Sequence, residues 1–289
     1  MFHGKNGKLI RLSKSCLSLM EKERVLNVLN KEYLGMGQEV ETFEKNLSSF
    51  FKRKTLCVVN GTAALQLALQ SIGVKKGDEV LVQSLTYLSS FQAISACGAV
   101  PVACDIKINS ATIDLNDAKR KITKKTKVIM PVHYAGGVGN LNEIYNFAKK
   151  FKLRVVEDAA HAFGSVYKKK LIGSQGDLVC FSFDGIKNIT SGEGGCIVTN
   201  DNKAIKSIQD LRLLGVQGDT NKRTKNKRTW LPKVSQQGWR YHMSNIMAAL
   251  GNEQLKRFNS ISKKRRNLAI NYNRLLKGIK NINYLKHDY

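Results

Sequence analysis

Two hydrophobic rhythms alternate along most of this chain. Unbroken apolar or β-branched runs such as Leu56-Cys57-Val58-Val59, Val128-Ile129-Met130 and Val155-Val156 predict short strands buried on both faces. Between them lie longer segments with helical spacing. The pattern predicts amphipathic helices at Glu21–Asn30 and Val40–Phe51, then strand 55–60, helix 62–73 and strand 79–83. Helix 87–97, strand 100–106, helix 115–121, strand 126–132, helix 140–151 and strand 154–158 continue the alternation. Strands near 178–183 and 195–199 and long helices at 203–214, 244–258 and 262–277 complete it. Strands that alternate with helices imply an α/β protein with a mostly parallel sheet sandwiched by helices. The stretch Asp219–Gln237 is polar, basic and without pattern, and is expected to be a mobile loop.

Composition narrows the picture. With 289 residues, 42% of them hydrophobic, the chain can build a substantial core. No apolar run approaches the roughly 18 residues that span a bilayer, and Met1-Phe2-His3-Gly4-Lys5 has no signal-peptide core. The expectation is a cytoplasmic protein that does not enter the membrane. Cysteines at 16, 57, 97, 104, 180 and 196 show no Cys-x-x-Cys spacing and read as small core residues in a reducing compartment. No metal-ligand cluster is visible.

A net charge of +26 raises the question of nucleic-acid binding. Basic runs at 119–121, 168–170, 222–228 and 263–266 are, however, spread over the whole length. They are not interleaved with the aromatic platforms that single-strand readers use. Solvated surface, with some use for an anionic substrate, is the better account.

Three segments carry candidate chemistry. Lys187 lies between Ser182-Phe183 and the glycine-rich Gly192-Glu193-Gly194-Gly195. A lysine so placed can lose its proton and attack a carbonyl, although the stretch alone reads more readily as a loop lysine. Asp158 closes the run Val155-Val156-Glu157 at a strand's carboxyl end, where open α/β sheets place ligands; a helix cap is the competing reading. Asn60-Gly61-Thr62 joins a strand to a helix start, a geometry that offers free N–H groups to an anion.

Together, Asn60-Gly61-Thr62-Ala63, Glu157-Asp158-Ala159-Ala160-His161 and Phe181-Ser182-Phe183 with Lys187-Asn188-Ile189-Thr190 and Gly192-Glu193-Gly194-Gly195 resemble the DegT/StrS-type sugar aminotransferases. The likeness runs from about Leu12 to the helix after Arg266. Pro131-Val132-His133-Tyr134-Ala135-Gly136 is especially similar to the branch that aminates UDP-4-keto-arabinose. The resemblance implies the aspartate aminotransferase fold (pyridoxal phosphate fold type I, with a seven-stranded type of sheet) and pyridoxal 5'-phosphate as cofactor. It implies transfer of an amino group from glutamate to a nucleotide-linked keto-sugar, and a homodimer.

Lys187 would then be the Schiff-base lysine and proton shuttle, and Asp158 the partner of the pyridinium nitrogen. Gly61, Thr62, Ala63 and Ser182 would hold the phosphate, Tyr87 would lie against the ring, and His161 would sit near the phenolic oxygen. His133 reads as structural. Arg240 and His242, in Gly238-Trp239-Arg240-Tyr241-His242-Met243-Ser244-Asn245, stand where relatives reach the neighbouring protomer's phosphate, yet the usual Asn-Tyr-Arg-Met pattern is altered. Dehydratases of this type replace the lysine with histidine, which Lys187 argues against.

Residues 1–258 would form the large cofactor-binding domain, with a helical arm over about 12–52, and 259–289 would begin a smaller C-terminal domain that is largely missing. Part of the substrate wall would be missing with it. The alternative expectation is therefore a family member that is truncated, catalytically impaired or regulatory.

Overall fold

The computed structural model describes residues 13–218 and 232–286, together with Asn6, Gly7 and Leu9. The segment 219–231, most of the expected mobile loop, and Leu12 at the start of the expected arm lie outside the described residues.

Two helices, α1 (Leu19–Asn30) and α2 (Gln38–Phe51), precede the first strand, β1 (Thr55–Val58), and α3 (Gly61–Ser71). The alternation continues with β2 (Glu79–Gln83), α4 (Leu88–Ala96), β3 (Val100–Cys104), α5 (Leu115–Arg120), β4 (Thr126–Met130), α6 (Leu141–Phe151) and β5 (Arg154–Asp158). Then follow β6 (Leu178–Ser182), β7 (Gly195–Val198), α7 (Asn202–Leu211), α8 (Asn245–Lys256) and α9 (Phe258–Leu276). The strands form one seven-stranded sheet in the order β1-β7-β6-β5-β4-β2-β3. Neighbours from β6 to β3 are parallel, while β7 runs antiparallel to both β1 and β6.

Every residue of β1, β6 and β7 is buried, which is why these strands read as continuous apolar runs. Successive side chains point to opposite faces and feed two separate cores. Cys57, Leu81, Val179, Phe181, Cys196 and Val198 join an aromatic-rich layer with Phe43, Phe51 and Phe163. Leu56, Val58, Val80, Val82, Leu178, Cys180 and Ile197 join an aliphatic layer beneath α3 and α4. The outer strand β3 carries Pro101, a residue that an edge tolerates because one side of the strand needs no donor.

The boundaries move for local reasons. Strand β4 stops at Met130 rather than at 132 because Pro131 has no N–H to continue the ladder. Helix α7 ends at Leu211 rather than at 214, and Leu213 instead bridges Arg240. A break at Arg257 divides α8 from α9, with no Gly or Pro there to announce it. Two small hairpins, Ile106–Lys107 with Thr112–Ile113 and Val166–Tyr167 with Lys170–Leu171, have strands too short to show a period. The second turns through Lys168 and Lys169, both with left-handed backbone (φ 46° and 65°).

One buried ion pair ties α2, β1 and the end of α7 together. Arg212, fully buried, donates from Nη1 to Glu44 Oε1 (2.5 Å) and to the Cys57 carbonyl (2.7 Å), while Glu44 also accepts the Cys57 N–H at 2.8 Å. Removing one partner leaves the other charge buried and unpaired, which typically costs about 3–5 kcal/mol. Glu44→Ala is therefore expected to lower the unfolding free energy by about 3 kcal/mol or more. Urea denaturation checks this, and a loss below about 1 kcal/mol would show that water replaces the pair.

Candidate active site

A cavity of about 600 Å³ opens at the carboxyl ends of the central parallel strands, within the usual size range of small-molecule sites. Lys187, Asp158, His161, Tyr87, Ser182, Gly61 and Thr62 all line it. Residues separated by more than a hundred positions in the chain are thus brought together because β1, β5 and β6 all end at this edge.

Asp158 is the last residue of β5 and is 5% exposed. Its Oδ2 accepts the Ser90 hydroxyl at 2.7 Å, its Oδ1 accepts the Ala160 N–H at 3.1 Å, and Ser90 in turn lies 2.7 Å from the Thr86 hydroxyl. Neutral donors thus orient both oxygens of a buried carboxylate that also lines the cavity. Ser90, on α4, is a supporting residue that the sequence reading missed. A serine within a helix leaves no spacing signal.

Lys187 sits in a tight turn in which its own N–H bonds the Asp184 carbonyl (3.0 Å). Three successive carbonyls of this turn are held from outside the sheet. Ser15 donates to Gly185 (2.6 Å), and Arg265 of α9 donates from one nitrogen to both Ile186 and Lys187 (3.1 Å each). Asn188 adds a bond to the Phe163 carbonyl (2.7 Å). The backbone that carries the lysine is fixed while its side chain faces the cavity.

His161 accepts the Ala135 N–H on Nδ1 at 3.2 Å, and the Tyr134 ring packs edge-on beside it. Ala135 takes a left-handed backbone (φ 52°), which aims this N–H at the ring. Tyr87, just before α4, is 73% exposed and stands on the cavity wall without being part of a core.

Asn60, Gly61, Thr62 and Ser182 form the remaining wall. The first helical N–H groups of α3 have no intrahelical partner, and Asn60 caps the helix by accepting the Ala63 N–H (2.8 Å). That bond commits the Ala63 amide to the cap and leaves Gly61 and Thr62 facing the cavity, with the Thr62 hydroxyl bonded to Ser89 (3.0 Å). Ala63 itself does not line the cavity. A Cβ on Gly61 would lie 2.8 Å from the Ser182 Cβ, and one on Gly195 would lie 2.6 Å from the Asn60 carbonyl carbon. Side chains at either position would close the notch.

Two expected residues stand apart. Arg240 is exposed and bridges Leu213, and His242 bridges Val58; neither lines the cavity of this chain. Among the described residues no cluster of three His, Cys, Asp or Glu could hold a metal, and no helix is long and apolar enough to cross a membrane.

The donor set fits pyridoxal phosphate: an amine for its aldehyde, a buried carboxylate for its ring nitrogen, and helix-start amides with two hydroxyls for its phosphate. Fold and site together define a pyridoxal phosphate enzyme of the aspartate aminotransferase-like fold. The model of the DegT/DnrJ/EryC1/StrS aminotransferase family matches residues 16–288. GDP-perosamine synthase of Escherichia coli O157:H7 is 38% identical over 280 residues, covering 96% of this chain and 72% of that protein. An aminotransferase of Shewanella sediminis named for UDP-4-amino-4-deoxy-L-arabinose and oxoglutarate is 33% identical over 275 residues, covering 95% and 71%. Spr1654 of Streptococcus pneumoniae, described as a sugar aminotransferase and solved in its PLP form, superimposes with a TM-score of 0.86 at 31% identity, covering 93% of this chain and 72% of that one. The chain belongs to the DegT/DnrJ/EryC1/StrS aminotransferase family. It spans 62% of the length of the GDP-perosamine synthase of Caulobacter vibrioides and 72% of that of Escherichia coli O157:H7.

Burial, reinforced by the Lys187 charge and opposed by Asp158, presses the His161 imidazole below its ordinary 6.5. A histidine depressed in the folded state contributes stability that is complete above the unfolded value and is lost as pH falls through the folded one. On lowering the pH from about 7.5 to about 5, the wild type should therefore lose urea resistance relative to His161→Gln. Parallel stability curves for the two proteins would contradict this.

Proposed function

We propose that the protein transfers an amino group from glutamate to a keto-sugar carried on a nucleotide, acting as a cytoplasmic homodimer. The observation that carries this reading is that Lys187 and the buried Asp158 line one cavity at the carboxyl edge of the sheet. The substrate class is supported by the nucleotide-sugar names of two relatives, and the donor by the oxoglutarate in one of them, since oxoglutarate is what glutamate becomes on giving up its amino group.

When bound, pyridoxal phosphate supplies an aldehyde that takes up amines and a ring that accepts the electrons of a breaking C–H bond. Lys187 holds the cofactor through its Nζ and, once released, uses the same nitrogen to move a proton at the reacting carbon. The Asp158 carboxylate keeps a proton on the ring nitrogen, and Ser90 keeps that carboxylate oriented. Gly61 and Thr62 offer amides, and Thr62 and Ser182 hydroxyls, to the phosphate; Ala63 serves it indirectly through the Asn60 cap. Tyr87 and His161, both on the cavity wall, would serve the cofactor's ring face and its phenolic oxygen respectively. Arg240 and His242, outside their own chain's cavity, serve the partner protomer's phosphate in a twofold dimer. Residues 1–258 act as the cofactor-binding unit, and 259–289 begin the next.

Borohydride reduction of the protein with pyridoxal phosphate, followed by peptide mapping, should place the label on Lys187; a label on another lysine would overturn the assignment. Asp158→Asn should still fold but lose about a hundredfold or more in amino transfer to a nucleotide keto-sugar, because an amide cannot stabilise the protonated ring nitrogen. Turnover near that of the wild type would remove Asp158 from its role.

A further inference from the structure

Beneath the cavity floor lies a buried polar network with no direct part in the chemistry above. Glu157, the residue before Asp158, is 1% exposed, and both its oxygens are taken. His133 donates from Nε2 to Oε2 at 2.9 Å, and the Tyr145 hydroxyl donates to Oε1 at 2.6 Å while itself accepting the Asp177 N–H at 2.8 Å. Burial and the Glu157 charge push the Tyr145 phenol well above its usual range, so it stays a donor. Space for the network comes from Gly176, at φ 107°, where a Cβ would strike the Glu157 carboxylate and come within 2.8 Å of the Tyr145 oxygen. Arg53 (8% exposed) closes the far side by donating to the carbonyls of Gly173, Gly176 and Asp177.

A buried polar cluster of this kind is costly relative to apolar packing of the same volume, so stability alone is a weak reason for it. What distinguishes its two arms is where they lead. Tyr145 leads to α6 and the Asp177 turn, away from the cavity. His133 leads into the cavity wall. Its N–H bonds the Asp158 carbonyl (2.9 Å), its carbonyl accepts the Gly136 N–H (3.1 Å), and its chain neighbours Val132 and Tyr134 both line the cavity. The turn that begins at His133 also carries Ala135, whose N–H holds His161. One side chain thus anchors the point from which both the Asp158 strand end and the Tyr134–Gly136 turn are hung.

We propose that His133, tied to Glu157, is a positioning residue that holds the Asp158 strand end and the Tyr134 turn in the relative placement that cofactor binding requires. It touches no reacting atom and acts through Asp158, Tyr134 and His161. The proposal rests on the cavity being the cofactor site.

The test is titration of cofactor-free protein with pyridoxal phosphate, read by its absorbance, alongside thermal unfolding of the same samples. His133→Leu removes the tether, His133→Gln restores an N–H donor in nearly the same place, and Tyr145→Phe strips the other oxygen of the same carboxylate. His133→Leu should weaken cofactor binding about tenfold or more, with His133→Gln recovering most of that loss. Tyr145→Phe should lower the melting temperature yet leave the dissociation constant within about twofold. Should His133→Leu not fold, His133→Phe, which keeps a ring in the same place and removes its N–H donor, should show the same selective loss of cofactor affinity. Equal weakening in His133→Leu and Tyr145→Phe for equal loss of melting temperature would make the network merely structural and overturn the proposal. So would unchanged affinity in His133→Leu, or in His133→Phe where that variant stands in for it. A wild type that does not bind pyridoxal phosphate would overturn the reading of the cavity, and this inference with it.

Discussion

A carboxylate at 5% exposure on the end of a parallel strand is tolerable only with partners, and Asp158 constrains much of the molecule through that requirement. Its side chain needs donors, which brings Ser90 and hence the start of α4 against β5. Its backbone is locked to the end of the neighbouring strand through the Pro131 carbonyl and the His133 N–H, both at 2.9 Å. The carboxylate so held lines the cavity. Chemistry at this edge follows from a general property of open α/β sheets, whose helices pack the faces and leave the carboxyl ends to form a crevice.

The sheet's reversal at β7 performs a second task. By running antiparallel between β1 and β6, β7 enters at the cavity edge and places Gly195 against Asn60 and Ser182 against Gly195 across the ladder. Two glycines from distant parts of the chain, Gly61 and Gly195, therefore meet at the start of α3, where side chains would not fit. The same reversal sets Cys57 opposite Cys196 in the aromatic core, where burial pushes both thiols well above their usual range and keeps them unreactive.

Much of this was legible in the sequence. Strands buried on both faces announce themselves as apolar runs, and β2 and β5 have the bounds the pattern predicts. That Lys187, Asp158 and Gly61 belong together was legible from the three motifs taken as a set, since each segment alone also reads as a loop, a cap or a turn; the structure places all three on one cavity. The supporting residues were not. Ser90 meets Asp158 across 68 positions, and Arg265 reaches the Lys187 carbonyl across 78, and neither distance leaves a local trace. His133 read as structural because a buried histidine has the same local signature whether it packs a core or steers a neighbouring strand. The Ala63 amide fell among the expected phosphate ligands because a strand-to-helix turn reveals free N–H groups in general, while the Asn60 side chain decides which of them are already taken.

The clamp on the Lys187 turn has a consequence in time as well as in space. A ribosome delivers Ser15 and the Asn60–Gly61 notch early, the strand that seats against that notch much later, and Arg265 later still. Edge strand β1 must wait for β7, since its ladder in the sheet is with that strand alone. Pairings so distant in sequence are slow to close, and partly made sheets expose apolar faces while they wait. A nascent chain that has emerged only through Gly195 already holds both Lys187 and Asp158, yet lacks the Arg265 guanidinium that pins the lysine's backbone. The Lys187 turn is therefore brought under full restraint only as α9 folds back over it, after the strands around it are already available.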